Sequence, residues 1–146
     1  MQESEALELI EPYSVLLKDS IFEAMNLVVS DTSPRVGKAL TSRSRSSCLN
    51  DMIYDCLRDK LSHTSARVEM IRGNLGVIIN GVLIRLKKLD DKLLPMNYPT
   101  SQQSSLRQTG FLEKIGVSPL EVLVLGYRPD ELISKIQRIV LFPNKN

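Results

Sequence analysis

The residues able to carry acid–base, nucleophilic or metal chemistry are few and poorly grouped. His63 is the only histidine. It stands among Ser62, Thr64 and Ser65, but no Gly-x-Ser-x-Gly turn or similar elbow occurs in the chain. A triad would therefore lack a positioned acid and an oxyanion hole. The expected role of His63 is to meet the carbonyls that end a preceding helix. Asp51, Asp55 and Asp59 recur at i, i+4 and i+8, stacked on one helical face where like charges repel. Holding a divalent cation would need further oxygen ligands to converge, so a solvated face is expected. Cys48 and Cys56 are the only cysteines. Eight positions apart on a helix they lie about 12 Å apart along its axis, too far for a disulfide. Two reduced, mostly buried thiols and a reducing, cytoplasmic compartment are the expectation. No Cys-x-x-Cys or His-x-x-x-His spacing occurs, and neither a phosphate-binding glycine loop nor a dinucleotide fingerprint is present. The reading is no catalytic residue, no metal and no cofactor.

Positive charge is better placed. Arg85, Lys87 and Lys88 fall on one apolar segment, with Arg107 a candidate neighbour. Gly76 and Asn74 on the preceding segment would leave space for a phosphate or a carboxylate to approach. Arg35, Lys38, Arg43 and Arg45 lie in DTSPRVGKALTSRSRS, with no acid between Asp31 and Asp51. They are candidate nucleic-acid contacts. The interleaved aromatics of a single-strand binder are missing, with three Phe, four Tyr and no Trp. Residues 1–31 carry seven acids and one base, a net of −6, and the remaining chain has 18 bases and 10 acids, a net of +8. Such asymmetry is either internal compensation or two surfaces for two partners.

Hydrophobic spacing gives the elements that would position these groups. Tyr13, Leu16, Leu17, Ile21, Ala24, Met25 and Val28 form one stripe at helical period, with Pro12 suited to the first turn. Leu7, Leu9 and Ile10 read as a short helical lead-in. Residues 31–46 read as an exposed linker. Cys48, Leu49, Met52, Ile53, Cys56 and Leu57 mark the buried face of a second helix, capped by Ser44 or Ser46 and ending near Leu61. The period then changes to two. Residues 67–72, 75–79 and 82–88 read as strands, the last two joined by Asn80-Gly81, a strong hairpin signal. The two-residue turn sets Ile79 opposite Val82, Val77 opposite Ile84 and Leu75 opposite Leu86, all on the core face. Residues 89–119 read as irregular, with a short helix from Thr100 to Gln108. Residues 120–127 and 134–142 read as two further strands.

The whole, 146 residues of ordinary globular composition (42% hydrophobic, 25% charged), is expected to be a single domain spanning residues 1–146. The class expected is α+β: two N-terminal helices packed on a mainly antiparallel sheet of about five strands. The longest nearly apolar stretch, Leu75 to Ile84, is too short to span a bilayer, and the acidic N-terminus fits neither a secretory signal nor a transit peptide.

Two resemblances add to this reading. A helix, three strands, a helical connection and a further strand resemble the core of the PD-(D/E)xK nucleases. That family uses an Asp on its second core strand and an (Asp/Glu)-x-Lys on its third. Lys87 matches the lysine, but Arg85 occupies the acid's position and LGVII has no acid, so the resemblance implies a catalytically inert relative used for binding. Separately, Arg85–Asp90, Asn97–Gln103 and Gly126–Asp130, with Arg43–Asp51 upstream, resemble a family of small bacterial proteins patterned as RFKKLD, SNxPTxQ and GYxxD. Members are often encoded beside a helix-turn-helix/metallopeptidase protein of the ImmA/IrrE kind. That implies a two-gene regulatory or toxin–antitoxin arrangement.

The expectation is a non-catalytic binding or regulatory protein that engages a protein partner. Arg85, Lys87 and Lys88 would attract an acidic group, and Asn97, Thr100 and Gln103, with Arg107, would set specificity from the long loop. The alternatives are a metal-dependent nuclease or toxin whose carboxylates converge from Asp55, Glu69 and Asp90, and a nucleic-acid binder. A homo-oligomer stays open.

Overall fold

A computed structural model of the chain describes residues 3–71, 74–90, 92 and 122–143. Helix α1 (Glu3–Ile10) runs through one turn of 3-10 helix (Glu11–Tyr13) into α2 (Ser14–Asp31). Pro12 sits in that tight turn, where its missing N–H costs nothing. The apolar stripe of α2 buries Leu17, Ile21, Ala24 and Met25, with Ser20 between them. Ser20 has no exposed surface and its hydroxyl donates to the Leu16 carbonyl at 2.8 Å, which satisfies it inside the core.

The segment read as a linker instead folds as a short helix, α3 (Pro34–Ala39). Ser33 caps it by accepting from Val36 N–H, and Pro34 stands at its first position. Serine and proline here are cap residues rather than loop residues, which composition alone does not distinguish. Helix α4 (Ser42–Leu61) likewise starts earlier than expected, with Thr41 rather than Ser44 or Ser46 as its cap. Its buried face is Leu49, Ile53, Tyr54, Cys56, Leu57 and Leu61. Of the two thiols expected to be buried, Cys56 is buried and Cys48 is exposed. The stripe drifts around the cylinder, so the core-facing position next to Ile53 is taken by Tyr54. The pair α2 and α4 lie side by side and antiparallel, joined by a salt bridge of 2.7 Å between Lys60 Nζ and Glu23 Oε2.

Beyond α4 the chain forms one five-stranded sheet in sequence order: β1 (Arg67–Ile71), β2 (Asn74–Ile79), β3 (Val82–Lys88), β4 (Val122–Pro129) and β5 (Ile136–Pro143). Three pairings are antiparallel and β3–β4 is parallel. Together with the helices this is an α+β fold with its helices N-terminal, as the element order implied. Val77, Ile79, Val82, Ile84, Leu86, Leu123, Leu125 and Tyr127 face α2 and α4 in one core. The opposite sheet face carries Ile71, Ile78, Leu83, Val122 and Val124, all buried as well.

The hairpin turn is as expected. Asn80 (φ 50°) and Gly81 (φ 79°) both take left-handed backbone, the requirement of this tight turn. Asn80 Nδ2 also donates to the Leu9 carbonyl at 3.1 Å and ties the hairpin tip to α1. The β4–β5 connection is organised by Asp130, whose carboxylate accepts from Ser134 N–H and Lys135 N–H. Arg45 reaches the Gly37 and Leu132 carbonyls and clasps α3 to this connection. No described helix is long and apolar enough to cross a membrane.

Candidate functional site

The register of β2 and β3 follows the hairpin only next to its turn. Ile79, Ile78 and Val77 pair with Val82, Leu83 and Ile84, and there the ladder stops. By the alternation of an antiparallel ladder, Leu75 and Leu86 would exchange the next pair of hydrogen bonds. The expected Leu75–Leu86 pairing is absent. The reason is Tyr54 of α4. Its hydroxyl donates to the Leu75 carbonyl at 2.6 Å and accepts from Leu86 N–H at 3.5 Å. A side chain thus stands between the two strands where backbone would meet backbone. Beyond it β2 continues paired to β1, and β3 to β4.

The divergence opens a cleft of about 850 Å³ at this end of the sheet. Its walls are the N-terminal half of α4 (Ser42, Arg43, Ser46, Ser47, Asn50, Asp51 and Tyr54) and the diverging ends of the strands (Asn74, Leu75, Arg85, Leu86, Lys87, Lys88 and Tyr127), with Met70 at the edge. Residues alternate across a strand, so Leu86 and Lys88 belong to the helix-facing side and Arg85 and Lys87 to the other. Because the strands part, both sets line the same cavity.

The polar groups on the α4 side are mostly partnered. Lys88 Nζ donates to Ser46 Oγ at 3.0 Å, and Tyr127 Oη donates to Asn50 Oδ1 at 3.2 Å. Arg85 is different. It is 5% exposed, and its Nε and Nη1 have no hydrogen-bond partner among the described residues. Burial lowers its pKa, with the Tyr54 hydroxyl as the neighbouring group that opposes this. Guanidinium is always charged in practice, so the shift measures cost rather than neutralisation. Lys87, half-buried, has its pKa lowered to about 8, first by desolvation and then by the charge of Arg85. No carboxylate among the described residues pairs with either cation. Burial also raises the pKa of Tyr54 and Tyr127, so both stay protonated hydrogen-bond donors.

The sequence-derived site residues fall into four groups. Arg85, Lys87 and Lys88 line one cleft under α4. Arg43 joins them at the mouth. Arg35 and Lys38 are exposed on α3, whereas Arg45 is committed to carbonyls of the protein itself. Asn97, Thr100, Gln103 and Arg107 lie outside the described residues, as does the short helix expected from Thr100. Missed from the sequence were Tyr54, Asn50 and Tyr127. A tyrosine at a core-facing position of α4 was the available signal, since a buried hydroxyl must find a partner.

Among the described residues the other constellations do not assemble. Asp55 and Asp59 are exposed on α4. Asp90 accepts from Lys92 N–H at 2.9 Å, and Glu69 is salt-bridged to Arg67 at 2.5 Å. Among the described residues no three His, Cys, Asp or Glu side chains are grouped to hold a metal ion. His63 is exposed, and two carbonyls at the end of α4, those of Asp59 and Leu61, accept from the Ser62 and Thr64 hydroxyls at 2.8 Å each.

Comparison with protein-family models, with curated proteins and with solved structures finds no match to this chain.

Proposed function

We propose that this protein is a non-catalytic binding protein whose cleft between α4 and the parted ends of β2 and β3 receives an acidic group carried by a protein partner. The observation that carries the reading is Arg85, nearly fully buried with two guanidinium nitrogens unpartnered among the described residues. A buried charge left unpaired costs several kcal/mol, of order 3–5 when one partner of a pair is removed. A fold that keeps such a group next to a second cation is arranged for an anion that arrives from outside. The exposed Arg43 at the mouth adds steering. A two-gene regulatory or toxin–antitoxin setting, implied by the sequence resemblance, would supply such a partner.

The test is a titration of the isotope-labelled chain with a glutamate-rich peptide, followed by amide and guanidinium NMR. Shifts centred on Arg85, Leu86 and Lys87, lost in Arg85→Gln, are expected. Binding unchanged in Arg85→Gln and Lys87→Glu would remove the reading.

A nucleic-acid partner is the second reading, favoured by the exposed Arg35 and Lys38 on α3 and by Arg43. Its signature is an affinity that falls steeply as salt rises. The nuclease reading has less support, because Arg85 stands where the family's carboxylate is required and a cation there repels a metal ion.

A further inference from the structure

The kind of anion is legible in the balance of charge around Arg85. Resting on the reading of this cleft as an anion site, we propose that its ligand is a phosphate monoester, bound as a dianion between Arg85 and Lys87.

Two positive groups share one desolvated corner. Desolvation first, and the neighbouring charge of Arg85 second, disfavour the charged form of Lys87, and neither cation has an ionic partner among the described residues. A single carboxylate would compensate one of them and leave the other without a counter-charge. A dianion compensates both. The donors present also exceed what two carboxylate oxygens accept. Arg85 has N–H groups on two nitrogens, Nε and Nη1, that no described residue accepts from, and an ammonium adds three more donors. Hydroxyls of Ser42, Ser46 and Ser47 line the same cleft from the first turns of α4. The positive end of that helix's dipole lies there too. Three phosphoryl oxygens match such a donor set, and a monoester's fourth oxygen leads out to whatever carries it. A cleft of about 850 Å³ has room for a group of nucleotide size behind the phosphate. Asp51 is the one acid among the described residues of its wall.

The experiment is calorimetric titration of the full chain at constant ionic strength with inorganic phosphate and with acetate. Two further arms use a phosphoserine peptide and a 5′-phosphorylated dinucleotide, each beside its unphosphorylated form. Saturable phosphate binding, weakened at least tenfold in Arg85→Gln and in Lys87→Gln, with acetate at least tenfold weaker than phosphate, is expected. The carrier whose affinity exceeds that of inorganic phosphate names the source, and equality of all three points to a small phosphorylated ligand. If acetate and a glutamate-rich peptide bind as well as phosphate, and Arg85→Gln abolishes all three, the dianion is overturned while the acidic-group reading stands. If none of these probes binds, both fall. Lys87→Gln, at a half-buried position, carries the test should Arg85→Gln not fold, as judged by near-ultraviolet circular dichroism.

Discussion

Tyr54 Oη lies 2.6 Å from the carbonyl of Leu75 and 3.5 Å from the amide of Leu86, so one side-chain hydroxyl occupies the place of a ladder bond and holds β2 and β3 apart. It makes the cleft, and it does so from a helix whose other buried residues only pack. Tyr54→Phe keeps the ring and removes the bridge. It leaves a carbonyl and an amide without that partner, at a cost of about 1–3 kcal/mol. The expected result is a denaturation midpoint lowered to match, together with faster hydrogen exchange at Leu86. Exchange at Leu86 as slow as in the parent protein would show that the hydroxyl does not hold this amide.

Arg85 sets stability against binding. Replacing a buried ionic group by an apolar side chain of similar length is neutral or stabilising, by about 1–4 kcal/mol. Arg85 has no ionic partner among the described residues, so Arg85→Met is expected at the stabilising end, about 1–3 kcal/mol by urea unfolding. The same variant should bind no anion. A residue that destabilises the fold and is kept for its ligand behaves in this way. An Arg85→Met chain that is markedly less stable would mean that the guanidinium is already compensated within the fold.

The sequence carried the elements better than the site, for physical reasons. The Asn80-Gly81 turn needs left-handed backbone twice, which few residue pairs accept, so the dipeptide alone located the hairpin. Apolar spacing located α2, α4 and the core face of β2 and β3 because burial repeats with the period of the backbone. The same spacing could not show that the ladder ends at Val77–Ile84, because the interruption comes from Tyr54, some twenty positions away in the chain and on another element. Nor could it show that Arg85 is buried. A strand period assigns a residue to a face but says nothing of what covers that face. The linker assigned to residues 31–46 failed because Ser33, Pro34 and Thr41 favour loops and helix starts alike. Arg45 was legible as charge, yet its partners at Gly37 and Leu132 depend on how distant segments meet.

Asp130 holds the β4–β5 connection. Its carboxylate accepts from Ser134 N–H at 2.6 Å, from Lys135 N–H at 3.0 Å and from the Ser134 hydroxyl at 2.6 Å. These bonds keep Ile133, a buried β-branched residue, at a φ of 53° that such side chains rarely adopt. Slight burial would raise the Asp130 pKa, but the bonds from Ser134 and Lys135 outweigh it and the net shift is downward. The folded value is therefore below the unfolded one of about 3.9. The contribution is present above that value and is lost as pH falls through the folded pKa. Asp130→Ala is expected to lower stability by about 1 kcal/mol at pH 7, the net worth of exposed hydrogen bonds. The difference from the parent protein should vanish as pH falls through the folded pKa of Asp130, below the unfolded value of about 3.9. A difference that persists in acid would assign the effect to backbone strain rather than to the carboxylate.

Lys87 gives the opposite sign of linkage. Its folded pKa is about 8, below the unfolded value of about 10.4. Between the two the unfolded chain binds more protons than the folded one, so stability rises with pH across that window. Below pH 8 the penalty of the buried charge is present in full, and above the unfolded pKa it is gone. Tyr54 and Tyr127, both raised by burial, act in the other direction only as pH passes 10, the ordinary tyrosine value. Arg43, Arg85, Asp51 and Lys88, the last on its Ser46 partner, are the other charged groups on the described cleft wall. The rise from pH 8 to pH 10 should therefore be removed in Lys87→Met, which leaves these groups in place. A bound anion stabilises the ammonium form, so binding takes up protons near pH 8. Affinity for phosphate is expected to fall by up to tenfold for each unit of pH above 8 until the anion-bound protein also loses the proton. Measured proton uptake on binding in two buffers of different ionisation enthalpy checks the sign. An affinity independent of pH from 7.5 to 9.5 would place the anion away from Lys87.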